Sequence, residues 1–161
     1  PIAGVGDCLL IADHRCVEDD LTGRLDRGAD ALPVETRAVL EQYVGRVGER
    51  SQLSIQVEAD KDARLPILQE REMWRIAQEA VTNVERHAKA SKVVVTWQSD
   101  GGRGLLVVAD NGIGFPSSRA GRLDSYGIVG MRERASSIGA TLDISGTPDV
   151  GTTVRCEVRP I

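Results

Sequence analysis

ILQEREMWRIAQEAVTNVERHAK, residues 67–89, is the stretch on which the fold turns. At 100° per residue Met73, Ile76, Ala77, Ala80, Val81, Val84 and Ala88 fall in one stripe, so a long helix with one apolar face is predicted after Pro66. That face needs a sheet to cover, and the sequence supplies strands on both sides of it. LSIQVEA (53–59) alternates Leu53, Ile55 and Val57 against Ser54, Gln56 and Glu58, the pattern of a half-buried strand. KVVVTWQ (92–98) and LLVVAD (105–110) follow the helix as two strands joined by SDGGRG (99–104). LLVVAD is apolar on both faces and is therefore expected at the centre of the sheet.

Working further out, Pro33 opens an earlier helix. Val39, Leu40, Tyr43, Val44 and Val47 recur at helical spacing, and Gly45 and Gly48 weaken its end. Downstream, residues 111–127 have no period and are rich in Gly, Ser and Arg, which marks a lid or binding loop at about 112–126. A short helix follows, with Ile128, Met131, Ala135 and Ile138 inward and Gly139 at its end. TLDIS (141–145) and TVRCEV (153–158) complete the sheet as alternating strands around GTPDVG (146–151). The strands come in pairs, which disfavours a doubly wound Rossmann-type domain. The expected fold is an α/β (α+β) two-layer sandwich, a mixed, mostly antiparallel sheet with helices on one face and a partly polar second face.

The chain of 161 residues suits one domain, read as 33–161 behind an N-terminal segment 1–32 of unclear role. In that segment CLLIA (8–12) reads as a short buried strand and VEDDLTGRLDRG (17–28) as a solvated helix or turn. A net charge of −4, with two Trp, two Tyr and one Phe, argues against direct nucleic-acid binding, which needs a basic face or stacking platforms. Cys8, Cys16 and Cys156 form no disulfide framework and fit reduced thiols in the cytoplasm. Cys8, His14 and Cys16, beside Asp13, Asp19 and Asp20, match no familiar zinc spacing. No run approaches a membrane span, and the chain begins at Pro1, so it reads as a piece of a longer protein whose membrane anchoring stays open.

Four features carry chemistry. Glu79 and Asn83 lie at about 240° and 280° from Met73, together at the edge of the buried stripe. A carboxylate and a carboxamide stacked there suit Mg²⁺, although a solvated helix edge explains them too. DNGIGF (110–115) ends the central strand with a carboxylate that can accept a hydrogen bond from an amine, then two glycines where something approaches the backbone. A tight strand-to-loop turn has the same composition. YGIVGMRER (126–134) starts a helix whose free N–H groups form a phosphate seat, with Arg132 and Arg134 read as its polar side. GTPDVGTTV (146–154) is a glycine-flanked hairpin loop.

In this order the four features resemble the ATP-binding domain of the GHKL (Bergerat-fold) superfamily. The closer resemblance is to the catalytic domain of two-component sensor histidine kinases of the branch that pairs with helix-turn-helix response regulators. QEAVTNVERHAKA (78–90) stands as the asparagine box, and the other three as glycine boxes. The resemblance implies that Asn83 binds Mg²⁺ and that Glu79 holds or polarises a water in its shell. It implies Asp110 as acceptor of the adenine amine, with Gly112 and Gly114 admitting base and ribose. Gly127, Ile128, Gly130 and Met131 would form the lid-anchoring phosphate seat, and Thr152 would line the adenine pocket. Arg86 stands where the family has Lys, and His87 is read as packing or steering phosphate.

The activity so implied is transfer of the γ-phosphoryl of ATP to a histidine, then relay to a response regulator. Its partners would be ATP, the protein's own dimerisation and phosphoacceptor domain and the regulator, in a homodimeric full-length protein. His14 is followed by Arg15 rather than an acid and lacks a dimer seam around it, so the acceptor is expected outside this piece. Rival readings are a regulatory binding module such as an anti-sigma serine kinase, against which the Met-Arg-Glu-Arg helix speaks, and a degenerate module without nucleotide. Asn83, Asp110 and the paired glycines speak against the second.

Overall fold

The computed structural model describes residues 34–60, 65–115 and 126–159, with side chains from residue 38 onward. The segment 1–32, with its CLLIA strand, 17–28 helix, His14 and Cys8–Cys16 cluster, lies outside the described residues, as do residues 116–125 of the expected lid.

Helix α1 (Val34–Ser51) leads to β1 (Ser54–Ala59), and α2 (Ile67–Asn83) runs on into a π-helical turn, Val84–Ala88. The hairpin β2 (Lys92–Asp100) and β3 (Arg103–Asp110) follows, then α3 (Tyr126–Ser137) and the hairpin β4 (Ala140–Thr147) and β5 (Gly151–Val158). The five strands form one mixed sheet in the order β1-β2-β3-β5-β4. β1 pairs parallel with β2, and every other pair is antiparallel. A parallel pair needs a crossover, which α2 supplies. The expected two-layer sandwich is the observed one, with the apolar strand β3 at its centre.

Helices and sheet meet over a single core. Met73, Ile76, Ala77, Ala80, Val81, Val84 and Ala88 are all buried, packed with Val93, Val95 and Trp97 of β2, Leu106 and Val108 of β3, and Val154, Cys156 and Val158 of β5. Each large apolar side chain buried this way contributes about 1.5–3 kcal/mol. Leu40, Val44 and Val47 bring α1 into the same core, and the Tyr43 and Trp74 rings meet edge-on at 5.5 Å.

Three departures from expectation have physical causes. Val39 is exposed, since it lies about 260° around the helix from Leu40 and misses the buried stripe. Gly45 and Gly48 do not end α1, which continues to Ser51; a Cβ on Gly48 would stand 3.0 Å from the Leu53 carbonyl, so the glycine admits the incoming strand. The β2–β3 turn shrinks to Gly101 and Gly102, at φ 55° and 85°, the positive pair that a two-residue hairpin requires.

The second face of the sheet is polar at its rim, as expected, and apolar at its middle. Leu105, Val107 and Ala109 are buried there, yet none belongs to the core under the helices.

Candidate functional site

The site is built where α2, β3, α3 and the β4–β5 loop converge. Helix α2 leaves α-geometry after Asn83 and ends on Lys89 in a left-handed conformation, φ 51°. Single π-turns in helices frequently mark functional positions. The carbonyl of Ala88, at the end of this turn, accepts the Ile113 N–H at 2.8 Å. A Cβ on Gly112 would collide with that same carbonyl. The first glycine box therefore docks on the end of the asparagine-box helix, backbone to backbone.

Gly114, at φ 56°, serves the opposite side. A Cβ there would collide with the Thr147 carbonyl of the β4–β5 loop. The Asp149 N–H donates to the Ile113 carbonyl at 2.9 Å and locks the two loops together. Gly151, at φ 133°, has the backbone of Asp110 where its Cβ would be. What approaches the backbone at the two glycines is thus the helix end at Gly112 and the β4–β5 loop at Gly114.

This packing leaves a cavity of about 240 Å³ lined by Asn83, His87, Asp110, Gly114, Ile128, Met131 and Thr152. Ile113, Phe115, Ile144 and Val154 complete apolar walls that the sequence reading did not assign to the site. Phe115 carried a signal, since it closes the DNGIGF run; Ile144 and Val154 looked like any inward strand residue. Asp110 is 4 % exposed. Burial pushes its carboxyl above the ordinary Asp range, against hydrogen bonds from the Gly112 and Thr152 backbone N–H groups. The Gly112 bond is 2.7 Å long. A buried, backbone-held acceptor in apolar walls is built to take a donor from a flat, mostly apolar ligand. Asn111 does something else: its Oδ1 accepts the Ser91 and Lys92 N–H groups at 3.0 and 2.9 Å and pins the start of β2.

Glu79, one helical turn before Asn83, lines a different cavity of about 580 Å³ with Arg71, Arg75, Gln78, Thr82, Gly127, Gly130 and Arg134. Met131 is the one residue lining both. The Glu79 carboxylate occupies the space a Cβ of Gly127 would need, so a glycine at the start of α3 seats this acid. Arg134, read as the plain polar side of α3, donates to Glu72 at 3.1 Å and ties α3 to α2. Arg86 is exposed and lines neither cavity. No helix among the described residues is long and apolar enough to cross a membrane.

The chain is similar to known proteins in both sequence and fold. Sensor protein VraS of Staphylococcus aureus (strain COL) is 42% identical over 100 residues, 62% of this chain and 28% of that protein. Sensor histidine kinase LiaS of Bacillus subtilis (strain 168) is 41% identical over 86 residues, 53% of this chain and 24% of that protein. The chain thus spans about a quarter of the length of these relatives. Among solved structures, the histidine kinase domain of the Erythrobacter litoralis EL346 blue-light activated histidine kinase superposes with a TM-score of 0.65 at 20% identity, over 82% of this chain and 65% of that one. The mycobacterial sensor histidine kinase MprB gives 0.61 at 17% identity, over 78% and 97%. Residues 68–160 match the family described as histidine kinase-, DNA gyrase B- and HSP90-like ATPase. Together with the two-layer sheet and the glycine-locked cavity, that match makes the chain a member of this ATPase family.

Proposed function

We propose that this chain is the ATP-binding catalytic domain of a sensor histidine kinase, holding Mg-ATP and presenting its γ-phosphoryl to a histidine on a separate phosphoacceptor and dimerisation domain. The observation that carries the reading is Asp110, buried at the end of an apolar cavity with Gly112 and Thr152 N–H groups fixing its carboxylate. The adenine amine donates to the free side of that carboxylate, and Ile113, Met131 and Val154 flank the ring. At about 240 Å³ the cavity is smaller than the ~300–1,000 Å³ of pockets that take whole ligands, so the phosphates leave it. They pass Asn83 and the start of α3, where Gly127, Ile128 and Gly130 offer backbone N–H groups.

Asn83 offers one neutral oxygen and Glu79 one carboxylate, a sparse hard-oxygen set that suits a cation bringing its own waters and phosphate oxygens. Held by Asn83, with Glu79 reached through a water, Mg²⁺ would neutralise oxygen charge on the transferring group. Asn83 orients the phosphate chain, Glu79 holds or polarises a water beside it, and His87 steers phosphate from the π-turn, while Arg86, outside both cavities, keeps only the positive charge of the family's Lys. A phosphoacceptor imidazole nitrogen forms the new P–N bond as the γ-phosphorus bond to the bridging oxygen breaks and ADP leaves, chemistry that rests on positioning and charge neutralisation. The partner next in line is a response regulator, and the full-length protein acts as a homodimer.

Calorimetric titration with Mg-ATP tests the binding half. The parent chain binds and Asp110→Ala does not; binding that survives in the variant removes adenine from this cavity. Incubating the full-length kinase with labelled ATP tests the transfer half. An acid-labile phosphate is the phosphohistidine expected here, whereas an acid-stable one replaces the reading with a serine-directed regulatory module.

A further inference from the structure

Helix α1 reaches α2 through two side chains whose contacts bracket Asn83. Tyr43 and Arg50 stand seven residues apart and so share one face of α1. The Tyr43 ring lies edge-on against Trp74. Its hydroxyl donates to the Gln78 carbonyl at 3.3 Å and lies 3.4 Å from the Thr82 hydroxyl. Thr82 donates to that same carbonyl at 2.8 Å. Further along, the Arg50 guanidinium donates through Nε to Oε1 of Glu85 at 2.7 Å and through a terminal nitrogen to Oε2 at 2.6 Å. Such a two-pronged pairing fixes direction as well as distance. It holds the Glu85 carboxyl below its ordinary range, and Arg86 attracts the same carboxylate. Glu85 belongs to the π-turn Val84–Ala88 but lines neither cavity. Asn83, just before the turn, and His87, within it, both line the smaller one.

We propose that Arg50 is a positioning residue of the nucleotide site: through Glu85 it holds the π-turn from behind, so that α1 sets where Asn83 and His87 meet the phosphates. That role rests on the ATP reading above, whereas the grip on the turn does not. A helix that has left α-geometry takes its path from what touches it outside its own ladder. Val84 and Ala88 set the depth of the turn in the core. The Ile113 N–H holds the Ala88 carbonyl at 2.8 Å on the cavity side. Arg50 supplies the hold on the α1 side. The Asp110 carboxylate takes its hydrogen bonds from the Gly112 and Thr152 N–H groups, neither of which lies on α1 or on the turn. Losing the grip therefore falls on the phosphates and spares the base.

The test is a double-mutant cycle in the full chain, with Arg50→Ala, Glu85→Ala and the two combined. One readout needs no nucleotide: amide hydrogen exchange at Ile113, bonded to the Ala88 carbonyl, and at Val150, bonded to the Thr147 carbonyl away from the turn. Each single substitution speeds exchange at Ile113 by about two- to fivefold, the worth of an exposed ion pair, and leaves Val150 unchanged. The combined variant exchanges no faster than either single one. Calorimetry then shows Mg-ATP affinity falling by about the same two- to fivefold in both single variants, with adenosine affinity as in the parent. The sign at Glu85 separates grip from charge. Removing a negative charge tightens a polyanion if charge alone acts, whereas losing the grip weakens it. Unchanged exchange at Ile113, or equal acceleration at Ile113 and Val150, overturns the proposal. So does Mg-ATP affinity that holds or rises in Glu85→Ala, or that falls equally for adenosine. A parent chain that binds neither ligand sinks the ATP reading instead, and exchange at Ile113 alone then decides whether Arg50 holds the turn.

Discussion

The two cavities flanking Met131 are made by the same two helices and have opposite characters. The smaller, on the β3 side, is apolar with one buried carboxylate, Asp110. The larger, on the outer side, gathers the charged Arg71, Arg75, Arg134 and Glu79 beside Trp74 and Met131. Asn83 opens into the first and Glu79 into the second, although they are one turn apart on α2. The difference teaches how one helix edge can separate recognition from chemistry. A base is chosen where a single acceptor is desolvated and water cannot compete, whereas multiply charged groups are handled where opposite charges are at hand and still hydrated.

Met131 is the wall between these regions and is 1 % exposed. Met131→Ala is expected to cost about 2–5 kcal/mol of stability, the range for truncating a buried Met, read as a lower urea midpoint. A loss well under 1 kcal/mol would mean the wall is not packed as described.

Asp110→Asn sharpens the contrast. Its amide brings a donor to a site already facing the Gly112 and Thr152 N–H groups, so affinity for both adenosine and ATP should fall about 10- to 100-fold, the worth of one hydrogen bond to a charged group. Glu79→Gln, in the other cavity, should leave adenosine affinity unchanged in calorimetry. If the two substitutions act alike, the cavities are not separate sites.

Acid should weaken the smaller cavity. In the proposed complex the ionised Asp110 accepts the amine, and burial has raised its pKa above the ordinary 3.8. Adenosine affinity is therefore full at neutral pH and is lost as pH falls through that raised value. The midpoint, followed by fluorescence titration, should lie above 3.8; a midpoint at or below it would contradict the burial of this carboxylate.

The smallest effect belongs to Arg75, which is exposed. Arg75→Ala should lower ATP affinity by a few-fold at most, consistent with ~0.2–1 kcal/mol for an exposed charge, and leave adenosine binding as it was. An equal loss for adenosine would place the phosphates elsewhere.

Much of this was legible in the residues. The stripe from Met73 to Ala88 fixed which face of α2 is buried because the core leaves an apolar record at every turn. Asp110 was visible as a carboxylate ending a wholly apolar strand. The rest depends on partners distant in sequence. The π-turn at Val84–Ala88 meets the Ile113 N–H, 25 residues beyond Ala88, and nothing local in VERHA announces it. Helical angles placed Glu79 and Asn83 together at one edge, but only the position of α3 assigns them to different cavities. The parallel pairing of β1 likewise follows from the path of α2, not from the alternation in LSIQVEA.

The central claim is that adenine is read by Asp110 in the smaller cavity, and nucleobase choice tests it most directly. Guanine carries a carbonyl oxygen where adenine carries its amine, so GTP sets an acceptor against the buried carboxylate. Calorimetry of the parent chain with Mg-ATP and Mg-GTP should give ATP binding tighter by on the order of a hundredfold or more, because a site built around one buried polar group rejects a ligand that leaves it unpaired. Equal affinity for the two nucleotides would contradict the account, since the base would then not face Asp110.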